Sequence, residues 1–204
     1  MARKAEDEQV GDRAQRRRAQ TARQLLEAAR AVLAAKGYHG TKIVDIARAA
    51  QVGVGTFYLY YPTKEALFLE LVEDAVAQLK AKLDEVRSTI IDPVEQARTR
   101  TLTFFRFASD NRELFRIVFG HGASFHDVVR RCQDSFANDM RDSLIAGMDR
   151  EVFRRCDATI WAQALIGMSL QVVSWWIDQE GISIEDVARS LSELALHGIT
   201  KSRV

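Results

Sequence analysis

Apolar residues recur at helical spacing along most of the chain, and no alternation with period two runs long enough for a strand. Leu25, Leu26, Ala29, Val32 and Leu33 form one stripe, and Gly37 is placed to stop that helix as a C′ residue. Thr41 is placed to cap a short second helix with Ile43, Ile46, Ala47 and Ala50 on its inner face. A turn at Gln51-Val52-Gly53 leads into a third short helix over Gly55–Tyr60, and Pro62-Thr63 punctuates again. A long helix then runs from Lys64 to about Arg87, with Leu67, Phe68, Leu71, Ala75, Leu79, Leu83 and Val86 facing inward. At ~1.5 Å per residue it spans roughly 35 Å, long enough to link two modules.

Caps mark the remaining starts. Asp92-Pro93-Val94-Glu95 offers an N-cap carboxylate, proline at N1 and an acid at N3. Asp110 through Glu113 and Ser124 through Asp127 repeat the cap-x-x-acid pattern. Asp157 opens a strongly apolar helix that is expected to close at Gly181, and Ser183-Ile184-Glu185-Asp186 opens a last one ending near Gly198. The pattern predicts an all-α fold of about nine helices. Residues 1–18 read as a flexible basic arm, 19–64 as a three-helix head and 65–204 as a larger helical body, joined by the long fourth helix.

Charge sharpens this division. Residues 1–64 carry 12 Lys and Arg against 6 Asp and Glu, a net of +6, whereas 65–204 carry 17 against 22, a net of −5. A basic head on an acidic body points to a polyanionic partner for the head. Cys132 and Cys156 lack metal-site spacing and read as reduced thiols, so the expectation is a cytoplasmic protein. No apolar run reaches the roughly 18 residues that cross a bilayer, and no membrane partner is expected. His121 and His126 stand at i, i+5 across an expected loop, which does not make a helical metal pair, and no metal or cofactor is expected.

Residues 38–64 read YHGTKIVDIARAAQVGVGTFYLYYPTK. Ile43, Ile46 and Ala47 suit the buried side of a supporting helix, and Ala50 is small where two helices cross. Gly53 can take the positive φ of a tight turn, and Gly55 allows a neighbour or a phosphate to approach the backbone. Thr56, Tyr58, Tyr60 and Tyr61 put hydroxyls on a very short helix, as suits a surface that meets sugars, phosphates and base edges. Phe57 reads as core, Tyr38 as packed behind the turn and His39 as a surface residue. The pattern suits a helix-turn-helix, and double-stranded DNA is the expected partner.

From about Thr21 to about Leu71 the chain resembles the N-terminal domain of the tetracycline-repressor (TetR) family. The elements G-x-x-x-T, I-A-x-x-A-x-V, G-x-F-Y-x-Y and L-F stand in family order. The resemblance implies a transcriptional regulator, and not an enzyme. It sets Thr41 and Lys42 beside phosphate, Val54, Gly55 and Thr56 at the start of the recognition helix, Tyr58 and Tyr60 on backbone and groove, and Lys64 on a phosphate. The recognition helix holds no Arg, Asn or Gln, so bidentate base readout is not obvious, and shape readout or contacts from Lys42 and Arg16-Arg17-Arg18 can contribute.

The body concentrates flat side chains. Phe104, Phe105, Phe107, Phe115, Phe119, Phe125 and Phe136 are followed by Trp161, Met168, Trp175 and Trp176. Such a helical body can enclose an apolar cavity. The resemblance implies a small apolar or amphipathic effector there, releasing a repressor from a palindromic operator. Candidate linings are Phe104 and Ala108 on one helix and Trp161, Leu165, Met168 and Val172 on another. Two apolar faces remain for a homodimer: Ile160, Ala164, Gly167, Leu170, Gln171 and Ser174, and Val187, Leu191, Leu194, Leu196 and Ile199. An all-α enzyme would need a nucleophile, an acid-base pair or a metal cluster, and no such constellation stands in the sequence. A membrane-surface module would need a basic amphipathic helix with free apolar groups, but the stripe of the first helix is claimed by the core.

Overall fold

A computed structural model describes the backbone of residues 2–120 and 122–198, and the side chains there except those of 2–12, 14, 120, 122–126 and 128. The readings made for His121 and Ile199, and for the side chains of Ser124, Phe125 and His126, lie outside what the structure describes. Among the described residues there are nine helices and no strand: α1 (Ala2–Gly40), α2 (Ile43–Ala49), α3 (Val54–Tyr60), α4 (Lys64–Thr89), α5 (Pro93–Asp110), α6 (Arg112–Gly120), α7 (Gly122–Asp149), α8 (Ala158–Trp176) and α9 (Ile184–His197). They divide into two compact units, 1–72 and 73–204, so the first unit takes in the opening turns of α4.

The first unit, the head, is built around α1. That helix begins at Ala2 and so runs through the segment read as an arm, where Arg13 and residues 15–20 are exposed. The chain leaves helical geometry at Gly37 (φ 65°, ψ 175°), a left-handed φ that a residue without Cβ adopts at least cost. Leu25, Ala29 and Leu33 of α1 are buried, together with Ile46 and Ala47 of α2, Phe57 of α3, and Leu67, Phe68 and Leu71 of α4. Phe57, fully buried, alone contributes on the order of 1.5–3 kcal/mol of burial.

Two local expectations are corrected here. The N-cap of α2 is Lys42 in extended conformation, with no side-chain cap, because the Thr41 hydroxyl turns inward and donates to the Gly37 carbonyl at 2.7 Å. The α2–α3 turn places its left-handed residue at Gln51 (φ 57°), while Gly53 is extended (φ −71°, ψ 151°). The reason is the closure of α2: Val52 N–H reaches the Ala47 carbonyl at 2.9 Å and Gln51 N–H the Arg48 carbonyl at 3.1 Å. This Schellman pair fixes the left-handed position at C′, whichever residue occupies it.

The body, residues 73–204, holds α5 through α9 and the later turns of α4. Three of its starts follow the expected caps, whereas Asp110 closes α5 ahead of α6 and α7 begins at Gly122, before residue 124. Asp92 accepts from Val94 N–H, Asp157 from Thr159 and Ile160 N–H, and Ser183 from Asp186 N–H. Two packed groups make its interior. Phe105, Ala108, Val173, Trp176, Val187, Ala188 and Leu191 join α5, α8 and α9, while Ala75, Leu79, Leu83 and Phe107 join α4 and α5. Apolar α8 ends at Trp176, short of Gly181, and two arginines of α6 satisfy the carbonyls left open there. Arg112 donates to Ile177 O and Gln179 O while lying 5.1 Å from the Trp176 ring, and Arg116 donates to Ile177 O at 3.3 Å.

The faces assigned to pairing of two chains divide differently from the sequence reading. On α8, Ile160 (65% exposed), Ala164, Gly167 and Gln171 do face outward. On α9, Val187 and Leu191 are buried in the chain's own core with Phe105, because the apolar stripe of α9 is turned toward α5. Leu194, a turn beyond Leu191 on α9, is exposed, as is Trp175 of α8.

Candidate nucleic-acid interface

The seven residues of α3 have two unlike faces. Phe57 is fully buried, and Tyr61, just past the helix end, is only 4% exposed. Val54, Gly55, Tyr58 and Leu59 point the other way, and Leu59 is 74% exposed, the most open large side chain of the helix. The i, i+4 pairs Val54/Tyr58 and Gly55/Leu59 therefore form a continuous outward strip of aliphatic, glycyl and phenolic surface. Thr56 and Tyr60 flank it, half-buried. Tyr61 was grouped with the outward hydroxyls; it belongs to the core, where burial pushes its phenol pKa well above the ordinary value. Leu59, by contrast, went unnoticed in the sequence, although its offset of two from Phe57 already sets it off the buried face.

A Cβ built on Gly55 meets no atom within 4 Å, so nothing in the chain's own packing demands glycine there. Basic groups border the strip. Lys42 is exposed at the start of α2, and the Arg18 guanidinium lies 5.9 Å from the Tyr60 ring, which brings the basic stretch of α1 to α3.

Behind the strip, polar groups fasten one another. The Lys64 ammonium donates to the Tyr38 carbonyl at 2.8 Å and the Thr41 carbonyl at 3.1 Å, and it sits 4.1 Å from the Tyr38 ring centroid. The Tyr38 hydroxyl donates to Glu65 Oε1 at 2.9 Å, and its ring meets Phe68 edge-on at 5.3 Å. Burial, and then the Glu65 carboxylate, raises the Tyr38 pKa. The Glu65 carboxylate is held below its ordinary range by its own backbone N–H first and by the Tyr38 hydroxyl next. Thr41, 2% exposed, completes the knot. Thus Lys42, Val54, Gly55 and Tyr58 of the expected DNA set lie on the outside, Thr56 and Tyr60 at its edge, and Thr41 and the donors of Lys64 turn inward.

The expected effector linings are partly brought together. Phe104, Met168 and Val172 pack against the core group that contains Ala108. Trp161 lies instead against the Arg154 guanidinium, 4.5 Å from its ring centroid, and Leu165 is half-buried outside that group. Among the described residues no cluster of three His, Cys, Asp or Glu side chains can hold a metal ion, and no helix is long and apolar enough to cross a membrane.

Comparison with known families places both halves of the chain. Residues 25–71 match the model for bacterial regulatory proteins of the tetR family, and residues 90–199 match a tetracyclin repressor-like C-terminal domain. The chain belongs to the TetR family. It is therefore a DNA-binding transcriptional regulator whose helix-turn-helix is α2–α3. It is 36% identical over 185 residues to a fatty acid metabolism regulator protein of Bacillus subtilis (strain 168), covering 86% of this chain and 94% of that one. An uncharacterized HTH-type transcriptional regulator of the same organism is 22% identical over 175 residues, 83% of this chain and 91% of the other. The fold matches the crystal structure of the Bacillus subtilis transcriptional regulator FadR in complex with stearoyl-CoA, with TM-score 0.76, 21% identity, and coverage of 87% of this chain and 98% of that chain.

Proposed function

We propose that this TetR-family regulator is a cytoplasmic repressor that holds a palindromic operator as a homodimer and is released by an effector with a long acyl chain. The exposed strip on α3 is the observation that carries the DNA half of this reading. A helix without Arg, Asn or Gln has no bidentate partner for a base edge, but aliphatic groups recognise the C5 methyl of thymine. In this reading Val54, Gly55, Tyr58 and Leu59 enter the major groove, Gly55 letting the backbone come close. Thr56 and Tyr60 meet sugar and phosphate, and Lys42 with Arg16-Arg17-Arg18 supplies the ionic attraction. Thr41 and Lys64 hold the frame from within.

The outward face of α8 (Ile160, Ala164, Gly167 and Gln171), with Trp175 and Leu194, supports pairing of two chains, which a two-fold operator requires. The effector half draws on the relative named for fatty acid metabolism and on the neighbour that holds stearoyl-CoA.

Fluorescence anisotropy on a duplex selected from a random pool tests the reading. Leu59→Ala should weaken the selected duplex about 5- to 100-fold while leaving random duplex unchanged, and replacing thymine by uracil at the read position should reproduce the loss. Stearoyl-CoA should weaken operator binding roughly 5- to 150-fold, and operator should weaken stearoyl-CoA equally. Leu59→Ala binding with wild-type selectivity would remove α3 from base readout. Operator affinity unmoved by bound stearoyl-CoA would remove the release mechanism.

A further inference from the structure

Arg100 is the one charged residue among the buried polar and charged side chains of the described residues. It lies on α5 at 9% exposure, and its Nη1 has no hydrogen-bond partner. The carboxylates whose fields reach it are Asp84 and Asp139, and both are engaged elsewhere. Asp84 pairs with Arg87 at 3.0 Å, and Asp139 with Lys80 at 3.4 Å, whose ammonium also bonds the Ser135 hydroxyl. Burial lowers the Arg100 pKa, and the neighbouring Arg87 adds to that, so the surroundings disfavour its charge. Arginine stays protonated nonetheless, and a buried guanidinium whose Nη1 has no acceptor carries a desolvation penalty that the fields of Asp84 and Asp139 offset only in part.

The residues in line with it are apolar. Phe104 and Phe107 follow at i+4 and i+7 on α5, and beyond them pack Leu79 and Leu83 of α4, Leu114 and Phe115 of α6 and Phe136 of α7. A cation thus stands at one end of a run of aromatic and aliphatic side chains. A guanidinium presents donors in a planar fork that fits an oxyanion better than a water molecule or an isolated carbonyl.

We infer that Arg100 is the anion anchor of the effector site: it binds the oxyanion at the head of an acyl-chain ligand whose tail follows Phe104 into the body. This rests on the acyl-effector reading above and adds to it the residue and the charge that recognise the head. The oxyanion has two possible sources, a free carboxylate or the phosphates of a thioester carrier, and Arg100 serves either by the same fork of donors.

Binding to the full-length chain decides, measured with three probes kept below their aggregation limits: stearate, stearoyl-CoA and uncharged 1-octadecanol. In Arg100→Met, whichever anionic probe the wild type binds should lose about 10- to 100-fold in affinity, as expected for a charge-assisted hydrogen bond, with 1-octadecanol unchanged. Loss confined to stearate assigns the carboxylate, and loss confined to stearoyl-CoA assigns the phosphates. Arg100→Lys, which keeps the charge and loses the fork, should fall between the two. Operator affinity without ligand should be the same in all three chains, which shows that the variants are folded. Equal affinity of wild type and Arg100→Met for both anions overturns the anchor and leaves the effector reading standing. Absence of binding of either anion to the wild type overturns both.

Discussion

Head and body each keep a cation away from open solvent, and they treat it in opposite ways. In the head, Lys64 finds two carbonyls and an aromatic face, and the groups it touches are themselves bonded onward to Glu65, Gly37 and Phe68. In the body, Arg100 finds no acceptor for Nη1, and the nearby acids are committed to other bases. The head gives its cation two acceptors and leaves one neutral hydroxyl, that of Tyr61, buried without a hydrogen-bond partner. The body leaves a charged donor unsatisfied inside. A surface that must meet DNA unchanged profits from the first condition, and the effector site proposed for the body would profit from the second.

Neutralising the two cations separates the regions most strongly. Lys64→Met should cost about 1.5–3 kcal/mol, because two carbonyls lose a charged donor. Arg100→Met should be neutral or stabilising by up to about 4 kcal/mol, because it removes a buried charge that has no partner. Urea unfolding of each variant checks this. Two losses of similar size would erase the contrast and make Arg100 a structural group like Lys64. Lys64→Met also sharpens the division within the head: the salt slope of operator binding should keep its wild-type value if its donors serve the frame, and fall by about one phosphate contact if they serve DNA.

A smaller effect reports on the turn that presents α3. Gln51→Gly should stabilise the chain by about 0.5–1 kcal/mol, since relief of a left-handed residue exceeds the added entropy of glycine. A loss of stability in thermal unfolding would show that the Gln51 side chain contributes more than its backbone strain removes.

The smallest effect is a pH dependence. Glu65 has a depressed pKa in the folded head, so its contribution is fully present above the ordinary carboxylate value and fades as pH falls through the folded one. Between about pH 5 and pH 3, wild type should lose stability more steeply than Glu65→Gln. Parallel profiles would mean that the Tyr38 bond is as strong with a neutral partner.

These differences also mark what the sequence could disclose. Helix starts were legible wherever a side chain caps its own helix, as at Asp92, Asp157 and Ser183, because the interaction is local. The stop at Gly37 was legible for the same reason. Gln51 was not, since a glycine stood two residues away and the Schellman bonds, not the residue type, choose the left-handed position. Thr41 and Lys64 carried the family pattern faithfully, yet the carbonyls they bond lie up to 26 residues distant, and spacing says nothing of that. Val187 and Leu191 belonged to an apolar stripe that could face a second chain or α5, and only packing decided. Arg100 was the hardest, because a single arginine among helical polar residues reads as solvated. Its position four before Phe104, on the face that carries Phe107, was the available clue.

The uncharged strip on α3 has a thermodynamic consequence. In the proposed complex, attraction to the phosphate chain comes from lysine and arginine at its margins, and it weakens as counterions accumulate. Recognition of a methyl group by leucine and valine changes little with salt, carries a negative heat capacity, and strengthens on warming from the cold. On the proposed reading the two contributions answer to different conditions: ionic strength would govern how long the protein stays on any duplex, and temperature how well it chooses among them.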